Sequence, residues 1–210
     1  MTKHYCVAIT GASGFIYAKR LLQCLLRQPI VVHLLISEAA REVARLEHNL
    51  VLPVTEAEEN NDDYDAALMQ FFEPNHAEVK ARLKCWMKTD WLSPVASGSH
   101  PLEAMVVCPC STGTLAAIAN GLSNNLIERA ATVCLKEHRR LVLLPREMPM
   151  GTIQLEHMHK LSQLGVRILP ASPGFYQKPQ SIDDLVDFVV HRILSQIGID
   201  NTLLPQWGAE

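Results

Sequence analysis

Short apolar runs alternate along the chain with longer segments of helical periodicity, and this alternation restricts the possible folds most strongly. The apolar runs are rich in β-branched residues, as buried strands are, and the helical segments repeat apolar residues every three or four positions. The predicted strands are Tyr5–Thr10, Val31–Ile36, Met105–Cys108, Leu141–Leu144 and Val166–Leu169, with a weaker sixth at Leu83–Trp86. The predicted helices include Phe15–Leu26, Glu38–Leu46, Asn125–Lys136, Ile153–Leu164 and Ile182–Ile197. The pattern predicts a three-layer α/β/α, Rossmann-like doubly wound fold with a mainly parallel sheet of about six strands.

Length and composition favour one domain over residues 1–210, with 48% hydrophobic and 20% charged residues. The formal net charge of −3 gives no reason to expect a nucleic-acid partner, and no apolar run has the length of a membrane span. We expect a cytoplasmic protein, because no signal peptide is apparent and most of the six cysteines lie in apolar stretches. Residues 55–65 are predicted to form an acidic loop or insertion. The tail at about 199–210 contains an apolar segment that has no obvious place in the core of such a fold. It is predicted to mediate oligomerisation.

Ligands bind at the carboxyl ends of the strands in an open parallel sheet, and all but one of the predicted strands end in small or polar residues. The first strand leads into Gly11-Ala12-Ser13-Gly14, the second ends at Ser37, and the strand Met105–Cys108 leads through Pro109-Cys110 into Ser111-Thr112-Gly113-Thr114. Backbone N–H groups at such helix starts suit a phosphate. The first turn lacks the G-x-G-x-x-G pattern, and Ser37 stands where a dinucleotide site has an acid, so a mononucleotide fits better than NAD. Each turn alone is also explained as an ordinary capped helix start.

Charged and aromatic residues near the same edge allow two interpretations each. Arg146 and Glu147 directly follow a buried strand, where they suit a phosphate and a proton transfer, or they simply pair with one another. Arg129 and Lys136 share a helix face. This face either contributes to the binding site or is an ordinary solvated face. Trp91 lies in a loop bounded by proline, where its ring stacks on a ligand or packs in the core.

Metal binding is not predicted from the cysteine and histidine spacing. Cys108 and Cys110 lack a second Cys/His pair, so packed thiols at a strand end are the better interpretation. His157 and His159 are two residues apart on one helix and therefore lie on different faces.

Taken together, these segments resemble the flavin prenyltransferases over nearly the whole chain. The matching segments are Thr10-Gly11-Ala12-Ser13-Gly14, Asp90-Trp91, Ala96-Ser97-Gly98-Ser99, Cys108-Pro109-Cys110-Ser111-Thr112-Gly113-Thr114, Asn125-Leu126-Ile127-Glu128-Arg129-Ala130, Leu135-Lys136-Glu137, Leu141-Val142-Leu143-Leu144-Pro145-Arg146-Glu147, Pro173-Gly174-Phe175-Tyr176 and Val189-Val190-His191-Arg192. The resemblance implies transfer of the dimethylallyl group of dimethylallyl phosphate to N5 and C6 of reduced FMN, without a metal. It also implies a homo-oligomer, commonly a dodecamer with shared active sites, which hands prenylated FMN to a UbiD-type decarboxylase in ubiquinone biosynthesis.

The resemblance also assigns residues to roles. It implies FMN binding by Gly11, Ala12, Ser13, Ser37, Ser111, Thr112, Gly113, Thr114 and Arg129. It implies binding of dimethylallyl phosphate by Ala96, Lys136, Arg146, Tyr176 and Arg192. It implies catalytic roles for Glu147, Trp91, Lys136 and Glu47.

Two other functions remain open from the sequence. A flavin-dependent cysteine decarboxylase has the same fold, although its catalytic histidine and Pro-x-Met-Asn signature are not apparent, since Pro145-Arg146-Glu147-Met148-Pro149-Met150 stands here. A non-catalytic carrier of prenylated flavin would need the flavin-binding turns only, and Glu147 and the phosphate-binding cations would be superfluous.

Overall fold

The computed structural model describes residues 2–51 and 82–205, and these residues contain a six-stranded sheet in the order β3-β2-β1-β4-β5-β6. The strands are β1 (His4–Ile9), β2 (Val31–Ile36), β3 (Leu83–Trp86), β4 (Ala104–Cys110), β5 (Arg140–Pro145) and β6 (Arg167–Ile168). Every neighbouring pair is parallel, so the predicted fold class is confirmed and the sheet is wholly parallel. The weaker sixth strand is confirmed as β3, at the edge. The predicted loop at 55–65 and the last residues of the predicted tail lie outside the described residues.

Six α-helices connect and cover the strands of the described sheet. They are α1 (Phe15–Leu26), α2 (Glu38–His48), α3 (Thr112–Ala119), α4 (Leu126–Lys136), α5 (Thr152–Gln163) and α6 (Ile182–Ile197). Ser37 and Ser181 are confirmed as N-caps, since each side chain accepts the backbone N–H three residues later. Helix α2 continues two residues beyond the predicted end at Leu46 and stops where Asn49 adopts a left-handed conformation with φ 52°.

The sheet separates two layers of core packing, as the alternation of side chains along buried strands requires. Along β1, Val7 and Ile9 pack with α1 and α6, whereas Cys6 and Ala8 pack with α3 and α4 on the other face. Strand order reverses between β1 and β4. Strands β2 and β3 follow on the β1 side, and β5 and β6 follow on the β4 side. The crevice between the carboxyl ends of β1 and β4 is therefore the expected ligand position. None of the helices in the described part of the chain is long and apolar enough to cross a membrane.

Three histidines meet near the amino ends of β1 and β2, away from this crevice. The imidazoles of His4, His33 and His100 have ligand atoms within 4.8 Å of one another, which the sequence spacing did not reveal. Trp86 Nε1 donates to Nδ1 of His33 over 3.0 Å, so the proton of the neutral His33 ring lies on Nε2. That proton points at His4 Nδ1, 3.0 Å away. The arrangement therefore favours a hydrogen-bonded cluster, because a metal would need the lone pair of Nε2.

This cluster predicts a pH-dependent stability. Burial, followed by the charges of His4, His100 and Lys84, lowers the pKa of His33 to about 4. In the unfolded chain the same ring has a pKa of about 6.5, so acid favours the unfolded state. The stability contributed by the neutral ring is complete above pH 6.5 and is lost as the pH falls towards 4. We expect His33 alone to lower the free energy of unfolding by about 3 kcal/mol between pH 7 and pH 4.

Urea unfolding of the wild type and of His33→Gln across this pH range measures the effect. Glutamine can replace the hydrogen bonds but does not titrate. Between pH 7 and pH 4 the free energy of unfolding should therefore fall by about 3 kcal/mol less in the variant than in the wild type. An equal loss in both proteins would assign the pH dependence to other groups.

Candidate active site

The first predicted turn lies against the start of α2 at the ligand edge of the sheet. A Cβ atom on Gly11 would lie 2.4 Å from the Cβ of Ala39, so only glycine allows this approach. The N–H of Ser37 donates to the carbonyl of Ile9 over 3.0 Å, which fixes the end of β2 beside the end of β1. Two of the segments predicted to bind FMN are thus adjacent.

The carboxylate of Glu47 occupies the start of α1. Its oxygens accept the N–H of Gly14 at 3.1 and 3.2 Å and the N–H of Phe15 at 2.9 Å. From the sequence, this turn either binds a phosphate or is an ordinary helix start. The structure favours the second interpretation, because two of these N–H donors are already bound to a carboxylate whose charge would repel a phosphate. Glu47 therefore lies beside the first predicted turn.

The second predicted turn, at the start of α3, is more open. Ser111 caps the helix by accepting the N–H of Thr114 at 3.3 Å, and the hydroxyls of these two residues lie 3.0 Å apart. The N–H groups of the first helical turn have no partner within a helix. A Cβ added to Gly113 would meet no atom within 4 Å, so the surface beside these donors is unobstructed. The hydroxyls and N–H groups of this turn fit a phosphorylated mononucleotide such as FMN.

A loop before β4 brings a second group of predicted residues together with α4. Arg129 Nε donates to the carbonyl of Ala96 over 2.9 Å, so a residue predicted to bind FMN contacts the backbone of one predicted to bind dimethylallyl phosphate. A Cβ on Gly98 would lie 3.0 Å from Nζ of Lys136, which places Lys136 beside the same loop. Lys136 Nζ also contacts Glu137 Oε1 at 2.7 Å, and this hydrogen bond and charge lower the pKa of Glu137.

Trp91 lies earlier in this loop and is 48% exposed, so the interpretation as a core residue is wrong. An exposed indole in the loop that carries Ala96 is free to contact a ligand or another subunit.

Arg146 and Glu147 are both exposed after β5 and do not form an ion pair with one another. Glu147 Oε1 instead accepts the N–H of Met148 at 3.1 Å. The alternative interpretation, in which Arg146 and Glu147 only neutralise one another, is therefore wrong.

Tyr176 and Arg192 form a third group, on and beside α6. The ring of Tyr176 packs edge-on against Phe188 with 5.5 Å between centroids, and Arg192 follows Phe188 by one helical turn. Arg192 is exposed and makes no hydrogen bond or ion pair with any residue in the described ranges.

The thiols beside the crevice are buried. Cys108 and Cys110 are fully buried, and burial raises the pKa of Cys110 to about 12. None of the six cysteines forms a disulfide. The interpretation of Cys108-Pro109-Cys110 as packed thiols at a strand end is confirmed, because a thiol with so high a pKa is neither a nucleophile nor a thiolate ligand at neutral pH.

Thr10 is a member of the site that the role assignments omit. Its hydroxyl is buried between the ends of β1 and β4, where it contacts Pro109 and Ser111. The glycine turn that follows Thr10 is visible in the sequence, but the hydrogen-bond partners of Thr10 are about a hundred residues away along the chain.

A doubly wound sheet with a hydroxyl-lined and N–H-lined turn at its crevice is typical of proteins that bind a mononucleotide. The sequence model of the Flavoprotein family matches residues 1–194. Flavin prenyltransferase UbiX of Pseudomonas aeruginosa is 50% identical over 204 residues, which cover 97% of this chain and 93% of that protein. Flavin prenyltransferase UbiX of Methanocaldococcus jannaschii is 44% identical, with 96% and 97% covered. The chain belongs to the flavin prenyltransferase family.

Solved structures support the same placement. AnUbiX (PadA1) in complex with FMN and dimethylallyl pyrophosphate is 34% identical, with a TM-score of 0.80 and full coverage of both chains. A dodecameric FMN-dependent UbiX-like decarboxylase from Escherichia coli O157:H7 is 36% identical, with a TM-score of 0.80, and 98% of this chain and all of that chain are covered. The FMN-dependent cysteine decarboxylase TvaF is only 12% identical with a TM-score of 0.55, over 94% of this chain and 98% of that chain, and shares the fold alone.

Proposed function

We propose that this flavin prenyltransferase transfers the dimethylallyl group of dimethylallyl phosphate to N5 and C6 of reduced FMN. The observation that carries the proposal is the position of Lys136 and Arg129 beside the Ala96–Gly98 loop, in a chain 50% identical to a flavin prenyltransferase. A flavin-binding protein without transferase activity has no need of the Lys136 cation at such a loop.

The two turns and the intervening helix start are proposed to hold FMN. The proposed FMN-binding residues are Gly11, Ala12, Ser13, Ser37, Ser111, Thr112, Gly113, Thr114 and Arg129. We assign the phosphate of FMN to the start of α3 rather than α1, because Glu47 accepts the first N–H groups of α1. Bound reduced FMN supplies the nucleophilic ring atoms that accept the prenyl group.

Cations are proposed to drive the departure of phosphate from the donor. The C–O bond of dimethylallyl phosphate breaks and the phosphate leaves with the bonding electrons, so negative charge grows on it. Fixed positive charges stabilise that charge without a metal. The proposed groups are Lys136, Arg146 and Arg192, with the hydroxyl of Tyr176 as a further donor. Arg146 and Arg192 are exposed and have no ion-pair partner among the described residues, so their charges are available.

The organic half of the donor is assigned to the Trp91 and Ala96 loop. An indole face attracts a cation, which suits the positive charge that develops on the dimethylallyl group. Glu147 is proposed to transfer protons, taking one from the flavin ring system and returning one to the departing phosphate. Glu47 is proposed to lie beside the flavin and to fix the first turn.

The assembly and partners are proposed on the same basis. The related protein from Escherichia coli is dodecameric, and we propose a homo-oligomer, commonly a dodecamer, whose subunits share active sites. We further propose one domain over residues 1–210, a cytoplasmic location, and delivery of prenylated FMN to a UbiD-type decarboxylase. A light-scattering measurement that finds an active monomer would contradict the shared site.

Phosphate release tests the proposed reaction against its alternatives. Protein loaded with reduced FMN should release one phosphate per flavin from dimethylallyl phosphate, because transfer breaks one C–O bond per flavin modified. A carrier should release none. A cysteine decarboxylase should release none and should instead form carbon dioxide from a cysteine-containing peptide.

A further inference from the structure

We propose that Thr10 is a positioning residue that fixes the distance between the two FMN-binding turns. This inference rests on the proposed function, because it assigns Thr10 an effect on flavin affinity. Thr10 is only 1% exposed, and it is one of three polar or charged residues that are buried within the described ranges. It touches no reacting group in the proposed chemistry, so its effect must pass through the residues that it holds.

Thr10 makes three hydrogen bonds across the crevice between β1 and β4. Its hydroxyl donates to the carbonyl of Pro109 over 2.9 Å and accepts the N–H of Ser111 at 2.8 Å. Its own N–H donates to the same carbonyl of Pro109 over 3.2 Å. The Thr10 side chain therefore joins the end of β1 to Ser111, the N-cap of α3.

The position of this bridge is where the sheet itself provides least support. The regular β1·β4 pairing ends at Ala8 and Val107, before either turn begins. The β4·β5 pairing shifts register between Val107 and Cys110. Beyond Ala8 and Val107, the Thr10 hydrogen bonds are what tie the two strand ends together among the described residues.

The bridge also fixes the orientation of Ser111. The N–H of Ser111 is bound to Thr10, and the Ser111 side chain accepts the N–H of Thr114 and caps α3, so Thr10 anchors the backbone of the capping residue. Without the Thr10 hydroxyl, the Ser111 N–H and one lone pair of the Pro109 carbonyl lose their buried partner. The strand ends must then move or admit water, and flavin binding has to restore the original spacing.

The test is the dissociation constant of FMN for Thr10→Val, measured by quenching of flavin fluorescence well below the melting temperature. Valine keeps the shape but removes the hydroxyl, and we expect the dissociation constant to rise about 10- to 100-fold. Turnover at saturating FMN should fall less than FMN affinity does, because Thr10 touches no reacting group and acts through the turns that it holds. Thr10→Ser keeps the hydroxyl and should restore FMN affinity to near the wild-type value.

Thr132→Val is the matched control, since the Thr132 hydroxyl is also bonded only to the backbone when it donates, in this case to the carbonyls of Glu128 at 2.9 Å and Leu122 at 3.3 Å. It should lower the melting temperature and leave FMN affinity unchanged. Unaltered affinity in Thr10→Val would overturn the proposal, as would equal weakening in Thr10→Ser or Thr132→Val. If Thr10→Val does not fold, Thr10→Cys supplies a weak donor of similar size and should show intermediate affinity. Wild-type protein that binds no FMN would refute the proposed function instead, and it is measured first.

Discussion

Replacing Glu147 with glutamine should lower the rate of prenylated-flavin formation by about 10²–10⁴-fold, the range typical of a lost general acid–base group. Glu147 follows β5 directly at the ligand edge and is exposed, with one carboxylate oxygen bound to the N–H of Met148. The amide keeps the shape and one acceptor, but it cannot take up or release a proton at neutral pH. Flavin affinity should stay unchanged, because the turns at Gly11–Gly14 and Ser111–Thr114 are intact.

The measurement is prenylated flavin formed per minute by the Gln variant after loading with reduced FMN. Glu156→Gln, the same change on exposed α5, is the matched control and should keep normal turnover. Near-normal turnover in Glu147→Gln would move the proton transfer to another group, such as Glu47 or the substrate phosphate.

The second large effect is expected at Lys136, where glutamine should reduce kcat/KM for dimethylallyl phosphate by about 10²–10³-fold. The ammonium group lies beside the Gly98 loop and is half exposed, so its ion pair with Glu137 is weak enough for a phosphate to displace. Removing the charge leaves the departing phosphate without one of its stabilising cations. Steady-state kinetics at saturating flavin separate this effect from flavin binding.

Glu137→Gln is the control for Lys136, since it removes the other half of the same ion pair. It frees the ammonium group for the substrate, and activity should therefore be equal or higher. A parallel loss of activity in both variants would show that the ion pair positions α4 and that the charge of Lys136 has no direct role.

The architecture follows from local patterns in the sequence. The spacing of apolar residues gave Phe15–Leu26 and Ile182–Ile197 with their observed bounds, because each helix buries one face against the sheet. Strand β4 is longer than predicted, since it pairs on both sides in the centre of the sheet. Strand β6 is shorter, because it pairs only with β5 and has a single neighbour among the described strands.

The contacts of the candidate site depend on pairs that are distant in sequence. Glu47 reaches the start of α1 from the end of α2, and Thr10 reaches Ser111 across the sheet. No periodicity or spacing rule encodes such pairs, although the glycines and hydroxyls around them mark the turns. The histidine cluster was missed for the same reason, since its members come from three separate segments.

Mass spectrometry of the flavin is the most direct test of the proposed reaction. Purified protein is incubated anaerobically with reduced FMN and dimethylallyl phosphate, and the flavin is then released and analysed. We predict a flavin heavier than FMN by one C5H8 unit, formed with an equal amount of inorganic phosphate and without added metal. Flavin of unchanged mass after many equivalents of donor, from protein that binds FMN stoichiometrically, would contradict the account.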